Sequence, residues 1–341
     1  MPVDYDALLV VSFGGPEGPA EVMPFLENVL RGKNVPRQRM LEVAEHYQHF
    51  GGVSPINAQN RALIQALEAE LARHGHRLPI YFGNRNWHPL LPDTLRQMRA
   101  DGVRRALGLF TSAFSSYSGC RQYRENIAAA QAEVGEGAPV IDKLRMFFNH
   151  PGFVEPLAER VREAYQQVPA ERRAAAELFF SAHSIPLGMA RNCQYENQLR
   201  EAARLVALTA GQERWSLVYQ SRSGPPQQPW LEPDILAALR AAHERGVRDA
   251  IVVPLGFISD HMEVLYDLDV EALTLCEQLG MNLVRCPTVG THPRFVQMIR
   301  ELIEERLTDQ PQRLALGELG PSHDVCPVDC CLYEPQRPPV R

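Results

Sequence analysis

The sequence has no run of lysine or arginine: its 35 basic residues are scattered among 41 acidic ones, for a formal charge of −6. A nucleic-acid partner would require a basic stripe or patch, so that class has no electrostatic footprint here. A divalent cation suits the balance better. No apolar stretch approaches the ~20 residues that a membrane-spanning helix requires. The opening Met1-Pro2-Val3-Asp4-Tyr5-Asp6 is acidic and runs straight into an apolar segment, unlike a secretory signal. We therefore expect a cytoplasmic protein whose seven cysteines are thiols or metal ligands rather than a disulfide framework. No internal repeat is visible, so any symmetry has to be architectural.

What is there is an ordinary globular composition, 45% hydrophobic and 22% charged. A chain of 341 residues is long for one core, which implies two lobes. Apolar strand patterns at 6–13, 79–82 and 105–110, then at 176–182, 215–219, 250–255 and 281–285, are separated by helical patterns. The helices fall near 19–30, 36–47, 57–73, 91–100, 198–209, 233–245, 263–279 and 293–307; in 57–73, Leu63, Ile64, Leu67 and Leu71 form one stripe. This alternation predicts an α/β protein of two Rossmann-like lobes, each with a parallel sheet of about four strands flanked by helices, around a cleft. The expected divisions are an N-terminal lobe at 1–149, a C-terminal lobe at 150–290, a closing helix at 291–308 and a tail at 309–341. The tail is polar and proline-rich and would be disordered by itself, but Cys326, Cys330 and Cys331 could fix it.

The densest chemistry lies in Val252 to Asp269, a buried strand that turns at Gly256 and then delivers His261, Glu263, Asp267 and Asp269. The C-terminal end of a strand is where an open α/β sheet binds its ligand. A helix beginning near His261 would project Glu263, Asp267 and, less closely, Tyr266 toward one site. The same acids would equally suit a solvated first helical turn. His183, in Phe179-Phe180-Ser181-Ala182-His183-Ser184-Ile185-Pro186, ends another apolar strand at the same kind of crevice mouth. After the first strand, Gly14-Gly15 permits close backbone approach to a ligand or simply a tight turn. The hydroxyl-rich turn from Thr111 to Tyr123 either binds a polar ligand or caps a helix.

Ser181-Ala182-His183-Ser184-Ile185-Pro186 together with Pro254-Leu255-Gly256-Phe257-Ile258-Ser259-Asp260-His261-Met262-Glu263 resembles the signature of ferrochelatases. The likeness extends to Ser12-Phe13-Gly14-Gly15-Pro16, Gly51-Gly52-Val53-Ser54-Pro55 and Tyr219-Gln220-Ser221-Arg222-Ser223-Gly224-Pro225-Pro226, over residues from about 5 to 308. Within the family the chain is most similar to the actinobacterial type that metallates coproporphyrin III. The resemblance implies insertion of ferrous iron into that porphyrin, with a decarboxylase acting downstream on the product. It implies that His183 and Glu263 handle the metal and the pyrrole protons, and we expect them to reach the tetrapyrrole from opposite lobes.

The remaining assignments also follow from the resemblance. Ser54 and Tyr123 match propionate-binding positions, and Arg31 lies near another. Leu30 and His46 stand where arginines are usual, and Phe13 where a metal-facing tyrosine is found. Gly14, Gly15, Gly51, Gly52 and the Trp230 loop would form a rigid wall. Asp267 and Asp269 would continue from Glu263 as a path for protons or metal. Cys120, Cys326, Cys330 and Cys331 are the expected ligands of a [2Fe-2S] cluster, with Cys193 in reserve; zinc or a bare tail are the other readings of these thiols. The alternatives in function are the same reaction on protoporphyrin IX, a haem-binding carrier on the same scaffold, and cobalt or nickel insertion into a related tetrapyrrole.

Overall fold

β1 (Ala7–Ser12) is buried at every residue, as the central strand of a parallel sheet covered on both faces must be. The computed structural model describes residues 4–32, 35–224 and 227–333. After β1 come α1 (Val22–Val29), α2 (Arg37–His49) and α3 (Ile56–Arg73), then β2 (Ile80–Asn84), α4 (Leu91–Ala100), β3 (Arg105–Phe110), α5 (Gln122–Val134) and β4 (Val140–Lys143). All pairings are parallel, in the order β2-β1-β3-β4.

The second half begins with α6 (Pro151–Gln167) and continues through β5 (Glu177–His183), α7 (Leu187–Ala190), α8 (Tyr195–Ala210), β6 (Trp215–Gln220), α9 (Ile235–Glu244) and β7 (Asp249–Val253). A long helix follows: α10 (Met262–Val264), a π-helical segment Leu265–Ala272, and α11 (Leu273–Leu279). β8 (Asn282–Arg285) and α12 (Pro293–Leu307) complete the regular structure. This sheet is ordered β6-β5-β7-β8, again wholly parallel. The two sheets thus share one topology without a visible sequence repeat. In each, the crossover direction reverses beside the first strand, between β1 and β3 and between β5 and β7. Those reversals open the crevices in which α/β sheets bind ligands.

Strand alternation partitions the core. Ala7, Leu9 and Val11 face α4 and α5, whereas Leu8 and Val10 join a second cluster with Phe153 and Leu157 of α6, Phe180 of β5, and Phe295 and Ile299 of α12. The lobes therefore share one hydrophobic core, with α12 packed on both α3 and α6. The strand patterns of the sequence reappear within a residue or two. The elements it did not reveal are β4, a short edge strand with Val140 exposed, α6, which opens on Pro151 with His150 Nδ1 accepting from the Gly152 N–H, and the four-residue α7, while α5 was visible only as a helix beginning near Tyr123.

The tail is held by polar contacts although it has no regular structure. Arg145, buried at the lobe junction, donates two hydrogen bonds to Glu305 of α12 at 2.7 and 2.8 Å and a third to the Leu314 carbonyl. Asn149 binds the Leu316 and Gly320 carbonyls, and Arg121 the Val328 and Cys330 carbonyls. Residues 334–341 of the expected tail, and Pro225-Pro226 of the Tyr219 to Pro226 motif, lie outside the described residues.

Candidate active site

β5 delivers His183 at its last position, and the loop after the neighbouring β7 delivers Glu263. Gly256 makes this possible: its N–H donates to the Ser181 carbonyl, and a Cβ there would lie 2.8 Å from Ala182 Cα. Only glycine lets the loop lie this close to β5. The expectation that the two residues come from opposite lobes is corrected here. Both belong to the C-terminal sheet, because β5 and β7 are adjacent and the crevice opens between them.

His183 Nδ1 donates to the Ser184 carbonyl and Tyr195 Oη donates to the His183 carbonyl, which fixes the ring with Nε2 3.3 Å from Glu263 Oε2. The pair lies deep in the crevice, yet 52% of the Glu263 side chain remains open to it. Burial by itself would lower the imidazole pKa, but the Glu263 charge, its hydrogen bond and the Ser184 carbonyl outweigh this and raise it to about 9. Burial would raise the Glu263 carboxyl, yet His183 holds it down at about 2. At neutral pH the site therefore rests as imidazolium and carboxylate. Burial lowers the pKa of His261, which caps α10 by accepting the Glu263 N–H at Nδ1.

From Glu263 the acids continue along the π segment. Its i→i+5 hydrogen bonding widens each turn, so residues four apart stay nearly in line. Asp267 accepts from Gln220 Nε2 at 3.2 Å and from Ser221 Oγ, a residue held at φ 61°. Burial, reinforced by the charges of Glu263 and Glu271, raises Asp267 to about 7. Asp269 does not join the row: both its oxygens are held by Arg285 at 2.6 and 2.9 Å, on another side of the helix. Glu271, with its pKa raised by burial, is the third member instead. The sequence signal for it was a strict four-residue spacing from Glu263.

The N-terminal lobe supplies the opposite wall. Tyr47 of α2 is half-buried, and its hydroxyl pKa is raised by desolvation and by the Glu263 charge, which places α2 across from the pair. Phe25 packs edge-on against Phe13, Tyr47 and Trp87, with Phe13 left 38% exposed after β1. His46 of α2 stacks on Tyr266 of the π segment at 3.6 Å, joining the two lobes.

Ser54 is buried against Gly15, where an added Cβ would lie 2.6 Å from Ser54 Cβ. Gly14 has φ +83° and abuts Asn84, whereas Gly51 and Gly52 end α2, Gly52 against Pro19. Tyr123 stacks on Phe110, and the Arg85 guanidinium lies 4.4 Å above its ring and 5.8 Å from that of Phe13. Arg85 was missed in the sequence, although it immediately follows β2. It bonds Asn126 Oδ1 and the Ser118 carbonyl but no carboxylate among the described residues. Arg31 is exposed after α1, Leu30 is its half-buried C-cap, and Trp230 bridges to Pro186.

The distant cysteines meet. Cys120 and Cys326 lie within hydrogen-bonding distance, as do Cys330 and Cys331 with sulfurs 3.5 Å apart. Cys193 is close enough to Cys330 to feel its charge, and His323 joins Cys326 and Cys330 with donor atoms within 4.8 Å of one another. The hydrogen bond from Cys120, with Lys143 and Arg124 nearby, pulls the Cys326 thiol down, while burial and neighbouring thiols push Cys120 and Cys331 up.

Residues 5–307 match the sequence profile of the family described as Ferrochelatase. The chain belongs to the ferrochelatase family. It is 62% identical over 337 residues to the ferrochelatase of Rhodopirellula baltica, covering 98% of this chain and 96% of that protein. It is 52% identical over 357 residues to the coproporphyrin III ferrochelatase of Streptomyces coelicolor, covering 98% and 95%. Among solved structures, the sirohydrochlorin chelatase SirB from Bacillus subtilis subspecies spizizenii, in complex with cobalt, aligns with a TM-score of 0.52 at 12% identity, over 89% of this chain and 96% of that one. This last likeness concerns the fold alone, the two-lobed Rossmann-like fold of chelatases. As a ferrochelatase, the chain acts on a porphyrin and ferrous iron. No helix among the described residues is long and apolar enough to cross a membrane.

Proposed function

We propose that this ferrochelatase inserts ferrous iron into coproporphyrin III, in a cytoplasmic setting, handing its product to a decarboxylating step. The observation that carries the metallation chemistry is the 3.3 Å approach of His183 Nε2 to Glu263 Oε2 at the end of an acidic row. Metallation exchanges two pyrrole protons for one Fe²⁺, so the site needs an anionic landing point for the cation and an exit for protons. Nitrogen and carboxylate donors suit ferrous iron. When the cation reaches Glu263 it repels the proton on His183, reversing the interaction that raised that imidazole. The proton leaves through Asp267 and Glu271, and the freed Nε2 takes the two pyrrole protons in turn, passing the first out by the same path and keeping the second as the restored imidazolium. Ferrous porphyrin and two protons result.

Preference for four carboxylates rests on the relatives named for coproporphyrin III and on Arg85, a guanidinium beside Tyr123 with no carboxylate partner among the described residues. Ser54, Tyr123 and Arg31 are the other proposed propionate contacts. In a steady-state competition between coproporphyrin III and protoporphyrin IX, we expect kcat/KM to favour coproporphyrin by at least about tenfold, one bidentate charge-assisted contact. Equal or reversed preference makes protoporphyrin the substrate. A chain that binds haem but leaves free porphyrin unmetallated is a carrier.

Asp267 makes the rate depend on pH. Its carboxyl, raised to about 7, accepts protons only when ionised, so activity should climb as pH rises through about 7. Asp267→Asn is expected to lower kcat roughly 10²-fold and to erase that acid limb. A variant whose pH profile keeps the limb removes Asp267 from the relay.

The [2Fe-2S] cluster is retained as part of this reading. Two thiol pairs, Cys120 with Cys326 and Cys330 with Cys331, suit two irons that each take two terminal thiolates. All seven cysteines are free, as ligand thiols in a reducing compartment must be. Such a cluster supplies a reversible one-electron centre, and no step of metallation is routed through it.

A further inference from the structure

Amide side chains leave the start of α3 in two directions. Asn57 Nδ2 donates to the Gly15 carbonyl at 3.2 Å and Asn60 Nδ2 to Ser12 Oγ at 2.9 Å, both buried, so this end of α3 holds the end of β1 and the glycines after it. Gln59 reaches instead to the other lobe. Its Oε1 accepts the Asp260 N–H at 2.8 Å and its Nε2 donates to Asp260 Oδ2 at 3.4 Å. Among the described residues no other hydrogen bond runs from the N-terminal lobe to the loop at 254–261. The second carboxylate oxygen of Asp260 accepts from Arg285 Nη1 at 3.1 Å, and Arg285 also donates to both oxygens of Asp269. Asp260 is thus clamped from both lobes, three residues before Glu263. The base of the clamp is rigid, because the following turns of α3 bury Leu63, Leu67 and Leu71 in the shared core. The loop has no regular structure until α10 begins at Met262, so its few tied groups set where Glu263 stands.

We propose that Gln59 is a positioning residue for metallation: its amide fixes the separation between the Glu263 carboxylate and the porphyrin wall at Gly14, Gly15 and Ser54. This rests on Glu263 as the carboxylate that receives ferrous iron. Asn57 and Asn60 tie one side of a single helix end to the wall, and Gln59 ties the other side to the catalytic loop, so the same rigid element gauges both. Displacing a reacting group by about 1 Å can cost about 10²-fold in rate. Loss of the clamp should therefore act on kcat, whereas porphyrin affinity is set at the wall and stays near wild type.

The test uses the full chain in anaerobic steady state with ferrous iron and whichever of coproporphyrin III and protoporphyrin IX the wild type metallates faster, with Glu263→Gln assayed alongside. Gln59→Met keeps length and helix preference but removes both hydrogen bonds, and is expected to lower kcat about 10- to 10²-fold with porphyrin KM within about twofold of wild type. Gln59→Glu sets a carboxylate against Asp260 and should lose as much. The exchange Gln59→Glu/Asp260→Asn rebuilds the pair with its side-chain donor and acceptor reversed: the new carboxylate accepts the backbone N–H and the new amide, whose oxygen remains for Arg285. It should restore kcat to within about threefold of wild type. A kcat within about twofold of wild type in either single variant, a loss carried by porphyrin KM instead, or an exchange no more active than Gln59→Glu overturns the proposal. Near-normal turnover in Glu263→Gln overturns the reading of that carboxylate, and this inference with it.

Discussion

Glu263→Gln is expected to lower the metallation kcat by about 10²- to 10⁴-fold, the range for removal of a positioned acid or base. The substitution keeps shape and hydrogen-bonding capacity and removes one charge, and that charge has two jobs. It is the anion that receives ferrous iron, and it is the chief reason the His183 imidazole is raised to about 9. Without it, burial prevails and the imidazole pKa falls, so the variant loses the cation's landing point and the proton stored beside it. Anaerobic stopped-flow with ferrous iron and free porphyrin, on protein whose circular dichroism matches wild type, reads the rate. NMR titration of the His183 ring reads the pKa. Porphyrin affinity should change little, because the effect lies on kcat. Near-normal turnover would remove Glu263 from the mechanism.

Glu305→Leu should cost about 3–5 kcal/mol of stability, because it leaves the Arg145 guanidinium buried without its anion. The two side chains are 1% and 5% exposed and share two hydrogen bonds, so neither charge can recover hydration in place. The consequence is not confined to α12. Arg145 also holds the Leu314 carbonyl, and the tail that follows carries the thiols. Urea denaturation should show a lower midpoint for the single variant, and Arg145→Met/Glu305→Leu together should recover most of the loss, since an apolar pair of similar volume can replace a buried ion pair. A double variant as unstable as the single one would show that packing, not the stranded charge, sets the cost.

The parts of the site that were legible in the sequence are those encoded by local periodicity. His183 and the Glu263 stretch were visible because each follows an apolar strand run, and a parallel sheet presents strand ends to its ligand. Asp269 was misplaced because it was assigned by resemblance rather than by spacing: six residues from Glu263 it falls on another side of the helix and pairs with Arg285, whereas Glu271 keeps the four-residue spacing and joins the row. β4 was hidden by its brevity, and α6 by its prolines at 151 and 156.

The sequence by itself determined every strand but β4 and most helices, the two-sheet α/β class, and the imidazole and carboxylate at the crevice, because burial periodicity and strand-end chemistry are properties of neighbouring residues. The expected lobe at 150–290 already held both His183 and Glu263, but only the tertiary structure decided that the strands leading to them are neighbours, since that adjacency depends on the 65 residues between β5, ending at 183, and β7, beginning at 249. The meeting of Cys120 with Cys326 and of Arg145 with Glu305 was likewise settled by packing. Such pairs join charges and donors far apart along the chain, and their energy exists only once the shared core has excluded water between them.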